Sequence, residues 1–387
     1  MASPHGLPSP HAPPYIEGLP DPYHYGPIAD KYKTITIHCF KSSLRFFVID
    51  QPRATETVMR ISQVTGPRTS EVIEAPDPVP RDRQILVEVV ASGVCTSDLS
   101  VWRAGGTGSG GTGSGGAASG APVRLGHEVV GRVAATGPHA RGWSEGDLVT
   151  GLGGEGFASL AVLDADRVLP VPAGIDPALA IGEPVADLAE ALSRTRITAG
   201  DRVAVVGLGF MGLGLVQLVR DRAPGLLLGV DPVPAARQRA LDLGADLVFA
   251  PGEVPAEYGG PGGGPAGRAG DHRADIVLEA TGVTPGLKTA GALVRPFGTL
   301  CVVGYHHAGD AMMDMDLWYK AVTIVNGFCP DQPRLMRSMS DALDLIARHR
   351  FSYAPLVTHR FGLDGADRAF ALMDACSDGF VKAVLIP

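Results

Sequence analysis

The chain has 387 residues, a formal net charge of −8 and 45% apolar residues, which is enough length for two domains with sizeable cores. Its acidic balance argues against a general nucleic-acid or anionic-membrane binder. The five cysteines are odd in number and follow no disulfide framework, so a reducing, cytoplasmic setting with free thiols or a metal site is expected.

Residues Met1–Val58 read as an appendage. Met1–Pro27 is rich in Pro and His without periodicity and is expected to be disordered. Its histidines His5, His11 and His24 have no scaffold and read as solvated side chains rather than ligands. The first residues carry no apolar h-region, so no secretory signal is expected. Thr34–Phe40 and Leu44–Asp50 could each form a short strand. From Met59 the pattern changes to short β segments, Thr69–Glu74, Gln84–Val90, Arg124–Ala135, Gly146–Val149 and Phe157–Val162. A glycine–serine tract, Gly105–Gly120, interrupts them with the composition of a flexible surface loop. Short strands with frequent turns fit an antiparallel, partly barrel-like β domain. Ile175–Ile181 and Val185–Arg196 then read as helical, with Gly182-Glu183-Pro184 as a break or start signal between them.

The stretch from Arg202 to Asp231 carries the strongest local signal. Val203–Val206 is a short apolar run of the kind buried in parallel sheets. Gly207, Gly209 and Gly212 follow in the order G-x-G-x-x-G, with Phe210 and Met211 between the last two. An apolar helical segment and a second apolar run, Leu226–Val230, end in Asp231. Strand, glycine turn, helix, strand and acid together form the dinucleotide-binding fingerprint. One glycine permits the tight turn, one lets the pyrophosphate approach the backbone, and one lets helix and strand pack closely. The helix N-terminus offers unpaired N–H groups to the phosphates. Asp231 would accept hydrogen bonds from ribose hydroxyls and repel a 2′-phosphate, so NAD is favoured over NADP. Reading Val203–Val219 as a membrane helix fits less well, because the run is short, flanked by Arg202 and Arg220, and interrupted by these glycines.

Beyond Asp231, Ala235–Leu243 reads as a helix, Asp246–Ala250 as a strand and Pro251–Arg273 as a glycine/proline loop. Asp275–Thr281, Thr299–Val303 and Val322–Val325 read as further buried strands. The alternation predicts an α/β fold with a doubly wound parallel sheet. Thr281 and Gly304 follow strand ends on the face where a nucleotide binds. Arg334–His349 reads as a helix, and Leu356–Phe361 and Val381–Ile386 as strands returning to the first domain.

A second constellation lies upstream. Cys95 sits in GVCTSD and His127 in LGHEVVG. A lone Cys at a strand end is most often an inert small hydrophobe, and spacing alone does not bring these two together. Paired upstream of a nucleotide fold, however, GVCTSD, GHEVVG, GEPVA, GLGFMG and the final VKAVLIP resemble the zinc-dependent branch of the medium-chain dehydrogenase/reductase superfamily, near the sorbitol and other polyol dehydrogenases. The resemblance runs from Met59 to Pro387. It implies a GroES-like β domain (59–185, completed by 334–387) and an NAD-binding Rossmann domain (186–333). It also implies a zinc- and NAD-dependent alcohol dehydrogenase acting on a secondary alcohol or ketone of a polyol, sugar-like or cyclitol compound.

By that resemblance Cys95 and His127 hold a catalytic zinc, and the third protein ligand is either Glu128 or Glu183. Thiolate, imidazole and carboxylate are competent zinc ligands, and three of them leave one position open. Asp98 would fix the tautomer of His127, and Ser97 would touch the substrate oxygen and begin a proton relay. Turn or N-cap chemistry competes for both. Lys382 takes the place of a basic residue near the cofactor pyrophosphate. Trp102, Trp318 and the His306-His307 pair are pocket candidates by location only. Two departures stand out. Ser100 occupies the position of a relay histidine, and no cysteine lies between Leu152 and Asp164, so no structural zinc is expected. Relatives associate through an edge strand, here Ala321–Gly327, which implies a homodimer or homotetramer. An amino-alcohol or threonine-type dehydrogenase, a zinc-free quinone or enone reductase, and a non-catalytic nucleotide-binding protein remain as alternatives.

Overall fold

The computed structural model describes residues 36–40, 43–47, 58–106, 123–262, 266–267, 270–306 and 314–387. The expected disorder of Met1–Pro27 and most of the Gly105–Gly120 tract therefore lie outside the described residues, as does His307. The chain divides into two units, residues 1–57 and 58–387. In the first, β1 (Thr36–Phe40) and β2 (Ser43–Phe47) pair antiparallel.

The second unit begins with β3 (Val58–Gly66) and β4 (Thr69–Pro76), which pair antiparallel. In β5 (Gln84–Gly93) every second residue from Ile85 to Ala91 is buried, the period of a strand with one face in the core. It leads through Val94 and Cys95 into α1 (Thr96–Ala104). After β6 (Val123–Arg124), which joins β3, come β7 (Glu128–Thr136), β8 (Leu148–Leu152), β9 (Leu160–Asp164) and β10 (Val168–Pro170). β5 pairs antiparallel with β7 and β9, and β7 with β8. This is the antiparallel, GroES-like part of the molecule.

The helix α2 (Gly182–Thr195) connects it to the next sheet. Here the structure corrects two expectations. Ile175–Ile181 is not helical beyond a single 3-10 turn, Pro177–Leu179, held by Asp176 accepting from the Ala178 N–H at 3.0 Å. Of the two readings of Gly182-Glu183-Pro184, a break or a start signal, the structure takes the second and corrects only the helix start: these residues are the first turn of α2, which begins at Gly182 and not at Val185. Proline is tolerated there because a first-turn N–H has no intrahelical acceptor.

The nucleotide part follows as β11 (Arg202–Val206), α3 (Phe210–Arg220), β12 (Leu226–Val230), α4 (Pro234–Asp242) and β13 (Leu247–Phe249). It continues with β14 (Ala274–Glu279), α5 (Thr284–Leu293), β15 (Val294–Val302), α6 (Met315–Tyr319) and β16 (Thr323–Asn326). All six strands are parallel in the order β13-β12-β11-β14-β15-β16. Strand order reverses between β11 and β14, which opens the crevice where doubly wound sheets bind ligands. The run Val203–Val219 is thus a strand, a turn and a helix, and no helix among the described residues is long and apolar enough to cross a membrane.

The chain ends with α7 (Gln332–Ala347), β17 (Val357–Phe361), α8 (Ala366–Asp374) and β18 (Lys382–Leu385). β18 runs antiparallel to β5, with Val384 opposite Gly93. The helices α1 and α8, neither of them predicted, pack together through Trp102 stacked on Phe370 at 5.4 Å. One continuous core joins α2, α3 and α7 to β11 and to β18, so the two sheets meet across α2.

Candidate active site

The three glycines of the nucleotide turn differ in what surrounds them. Gly207 has φ +92, and a side chain there would press on Thr281 and the Ala280 carbonyl carbon. Gly212 packs against the Gly207 carbonyl with no room for a Cβ, whereas a Cβ on Gly209 would project into open space. Gly209 is also the N-cap of α3, and no side chain caps it. A phosphate therefore has both free backbone donors and room to reach them, the two requirements of a helix-terminus anion site. Asp231 closes β12. Its Oδ2 accepts from the Leu208 N–H and its Oδ1 from the Val233 N–H, both at 2.8 Å, and a carboxylate so placed keeps further lone pairs for hydroxyl donors.

Thr281 and Gly304 lie on adjacent loops, fastened by a residue that the sequence reading missed. Glu279, wholly buried at the end of β14, accepts from the Thr281 N–H at 2.7 Å, from the Thr281 hydroxyl and from the Gly282 N–H at 3.1 Å. Its other oxygen meets His306 Nε2 at 3.0 Å. An acid closing the apolar run DIVLE was the available signal.

β5 and β7 pair so that Gly93 stands opposite Glu128. That register brings Cys95, two residues after β5, and His127, the residue before β7, to the same end of the sheet. Among the described residues, Cys95, His127 and Glu128 form a group whose donor atoms all lie within 4.8 Å of one another. Gly93 is required there, because a Cβ would collide with Glu128 Oε2. Glu183 approaches from the first turn of α2, with Oε1 3.9 Å from His127 Nε2. His127 Nδ1 faces Asp98 Oδ1 at 3.3 Å, which leaves Nε2 toward Cys95, Ser97 and Glu183. The Ser97 hydroxyl donates to Cys95 Sγ at 3.3 Å and lies 3.5 Å from Nε2. Ser97 and Asp98 belong to the first turn of α1, but neither caps it.

Lys382 is placed differently from a residue exposed to the cofactor. It is buried, donates to Glu128 Oε1 at 2.6 Å, and sits 4.4 Å above the centre of the Phe210 ring. Phe210 in turn stacks on Tyr353, whose hydroxyl donates to the Ile181 carbonyl at 2.6 Å. The lysine thus links the glycine turn to the cluster. Met211, the next residue of α3, is half-buried against the main core.

The site is rich in carboxylates that the protein leaves incompletely satisfied. Glu128 Oε2 and Asp98 Oδ2 are buried with no partner, an arrangement that costs free energy unless a ligand or ion completes it. Burial, with Asp187 as the next contributor, pushes Glu183 up to about 8. Burial likewise raises Asp187, one helical turn on, to about 6. Burial disfavours charge on His127, yet the hydrogen bonds its ring donates to Asp98 and Cys95 and the charges of Asp98 and Glu183 outweigh it and hold its pKa above the ordinary value. Left to one another, these groups hold protons more tightly than they would in water. Thiolate, imidazole and carboxylate donors with orphaned oxygens suit a zinc ion, with Asp98 behind the histidine as such ligands are usually braced.

Other candidates stand elsewhere. Trp102 does not line a pocket: it is in the core, and its Nε1 donates to Asp367 at 2.8 Å. Trp318 is exposed and packs edge-on against Tyr319. The Ser100 hydroxyl donates back to the Ser97 carbonyl at 3.2 Å.

The sequence matches two family models, the alcohol dehydrogenase GroES-like domain over residues 81–173 and the zinc-binding dehydrogenase domain over residues 199–348. A sorbitol dehydrogenase of Halalkalibacterium halodurans is 25% identical, the alignment covering 82% of this chain and 95% of that protein. An L-threonine 3-dehydrogenase of Pyrococcus abyssi is 24% identical, over 86% of this chain and 99% of its own. Among solved structures, a protein of Sinorhizobium meliloti 1021 described as a zinc-binding dehydrogenase bound to NADP superposes with a TM-score of 0.72. It is 23% identical and covers 86% of this chain and all of its own.

Proposed function

This chain belongs to the zinc-type medium-chain dehydrogenase/reductase superfamily, and from that premise we propose that it is a zinc- and NAD-dependent dehydrogenase of a secondary alcohol on a polyol, sugar-like or cyclitol compound. The observation that carries the reading is the Cys95–His127–Glu128 group, with Glu183 beside it, at the end of the sheet joined through α2 to the nucleotide crevice. Cys95, His127 and Glu183 are the protein ligands in this reading. Glu128 is already paired with Lys382 at 2.6 Å, while among the described residues no ammonium forms an ion pair with Glu183, which Lys382 reaches only through its charge.

A bound zinc ion supplies Lewis acidity that favours the alkoxide over the alcohol, and a bound nicotinamide supplies the hydride acceptor. The protein's own groups do the rest. Asp98 keeps His127 in the tautomer that presents Nε2 to the cluster. Ser97, within reach of both Cys95 and His127, takes the alcohol proton and hands it toward solvent. The bare end of α3 and the open side of Gly209 hold the pyrophosphate, and Asp231 holds the ribose and disfavours a 2′-phosphate. Glu279 fixes Thr281 and Gly304 on the nicotinamide side. α2 sets the distance between the two halves, which hydride transfer requires to be short and constant.

Two copies would associate through β16, the free edge of the six-stranded sheet, where Ile324, Phe328 and Trp318 are exposed. Light scattering on purified protein tests that association: a monomer refutes it.

The main reading is tested by metal analysis together with an NAD-reduction screen over polyols, cyclitols, amino alcohols and threonine. Stoichiometric zinc with turnover of a polyol or cyclitol is expected. Protein without zinc refutes the mechanism, and threonine as the sole substrate replaces the substrate class.

A further inference from the structure

Asp187 is a carboxylate that the mechanism above does not use. It lies on α2 one turn beyond Glu183, on the same face of the helix. Among the described residues, no hydrogen-bond donor reaches its carboxylate, and the charges of His127 and Glu128 act on it. The helix that carries it packs on β7 and β8 of the first sheet and on α3 and β15 of the nucleotide part. The charge of Asp187 also acts on Tyr353, whose ring stacks on Phe210 of the glycine turn at 6.0 Å, so Asp187 stands between the metal-ligand cluster and the nucleotide crevice.

The charge balance there is lopsided. Asp98, Glu128, Glu183, Asp187 and the Cys95 thiol face one ammonium, Lys382, and one imidazole, His127. Two of the carboxylates also leave a buried oxygen unpartnered. Lys382 is consumed by Glu128 at 2.6 Å, and a divalent ion bound by Cys95 and Glu183 is matched by those two ligands. Asp98 and Asp187 are left: Asp98 is turned to the ring N–H of His127 at 3.3 Å, and Asp187 is the negative charge with neither a cation nor a hydrogen-bond donor beside it among the described residues.

The oxidised nicotinamide ring is a cation and the reduced ring is neutral. A nearby carboxylate in a partly desolvated cleft lowers the free energy of the first and leaves the second almost untouched. We propose that Asp187 is a specificity-determining residue for the redox state of the cofactor, favouring bound NAD+ over NADH and so holding the enzyme between turnovers in its NAD+-loaded form. This inference rests on the nicotinamide-dependent reading of the site. Asp187 contributes no ligand and moves no proton. It acts through its charge, and asparagine of the same shape removes that action.

The test uses zinc-loaded full-length protein, wild type and Asp187→Asn, titrated by calorimetry and by nucleotide fluorescence with NAD+, NADH and ADP-ribose. ADP-ribose lacks the nicotinamide and reports the phosphate and ribose contacts alone. In the variant the NAD+ Kd should rise about tenfold relative to that of NADH, with ADP-ribose unchanged. Asp187→Glu, which keeps the charge, should restore most of the preference. A NAD+/NADH ratio within twofold of wild type overturns the proposal. So does an equal loss for all three ligands, which would make Asp187 a structural residue. Wild-type protein that binds none of the three ligands, nor NADP+ and NADPH, refutes the nicotinamide-dependent reading and the role of Asp187 with it, whereas protein that binds only NADP+ and NADPH refutes the choice of NAD alone. In the latter case the same ratio, measured with NADP+ and NADPH, decides on Asp187.

Discussion

The acids of the nucleotide part and those of the metal-ligand cluster are treated in opposite ways by one chain. Asp231, Asp271, Asp275 and Glu279 each accept hydrogen bonds from backbone or side-chain donors of the protein itself. For Asp271 and Asp275, burial alone would raise the pKa. The amides and guanidinium groups around them more than offset it and hold both carboxyls below their ordinary value. In the cluster the same kind of side chain is left under-supplied. Glu183 and Asp187 are pushed upward, chiefly by burial, and Glu128 and Asp98 each keep a buried oxygen without a partner. Charges in the scaffold are closed by the fold, whereas charges in the cleft are left for what binds there.

That contrast can be broken most severely at Cys95. Cys95→Ala removes the one thiol of the group and should abolish stoichiometric zinc by metal analysis, with kcat/KM lowered at least about 10³-fold. Retention of both zinc and activity would relocate the site. Lys382→Met comes next. Both partners of its ion pair are buried, and a buried carboxylate stripped of its only ammonium costs about 3 kcal/mol or more in unfolding free energy. Adding Glu128→Gln should recover most of that loss in a double-mutant cycle. If it does not, the two side chains are not coupled. Asp98→Asn is milder. It leaves the histidine without its anionic brace, and zinc affinity, read by competition with a chelator, should fall about 10- to 100-fold.

What the sequence disclosed follows from how local each demand is. Gly207 and Gly212 are legible because a positive φ and a backbone approach with no room for a Cβ exclude other residues there. The doubly wound sheet is legible because its strands are continuous apolar runs separated by helices. Cys95 and His127 are visible as residue types at strand ends, but their meeting depends on the register that sets Gly93 against Glu128, which no spacing encodes. The partner of Glu128 lies 254 positions along the chain, so the sequence could not say that Lys382 points at the cluster rather than at the cofactor. α1 escaped notice because TSDLSVWRA is short and polar on one face, and its buried Trp102 earns that place only against Phe370 of α8. Asp187 escaped because α2 starts at Gly182 rather than Val185. Only that earlier start puts Glu183 and Asp187 on one face of a regular helix.

The smallest expected effect lies on the scaffold side of the contrast and has a pH signature of its own. Asp275 Oδ2 accepts from the Arg202 N–H at 2.7 Å and Oδ1 from Arg295 Nε at 2.6 Å, tying the start of β11 to β14 and β15. Because these contacts hold its native pKa below the unfolded value of about 3.9, the folded protein binds the proton less readily than the unfolded chain. The stabilisation is therefore complete above that unfolded value and is lost as the pH falls through the depressed native one. Asp275→Asn should then cost about 1–2 kcal/mol at pH 7 by urea denaturation. The gap to wild type should narrow once the pH drops below about 4, while the zinc content and the NAD+/NADH ratio measured for Asp187 stay at wild-type values. A gap that stays constant with pH would show that the residue acts by shape alone. A change in zinc content would show that the two sets of acids are not independent.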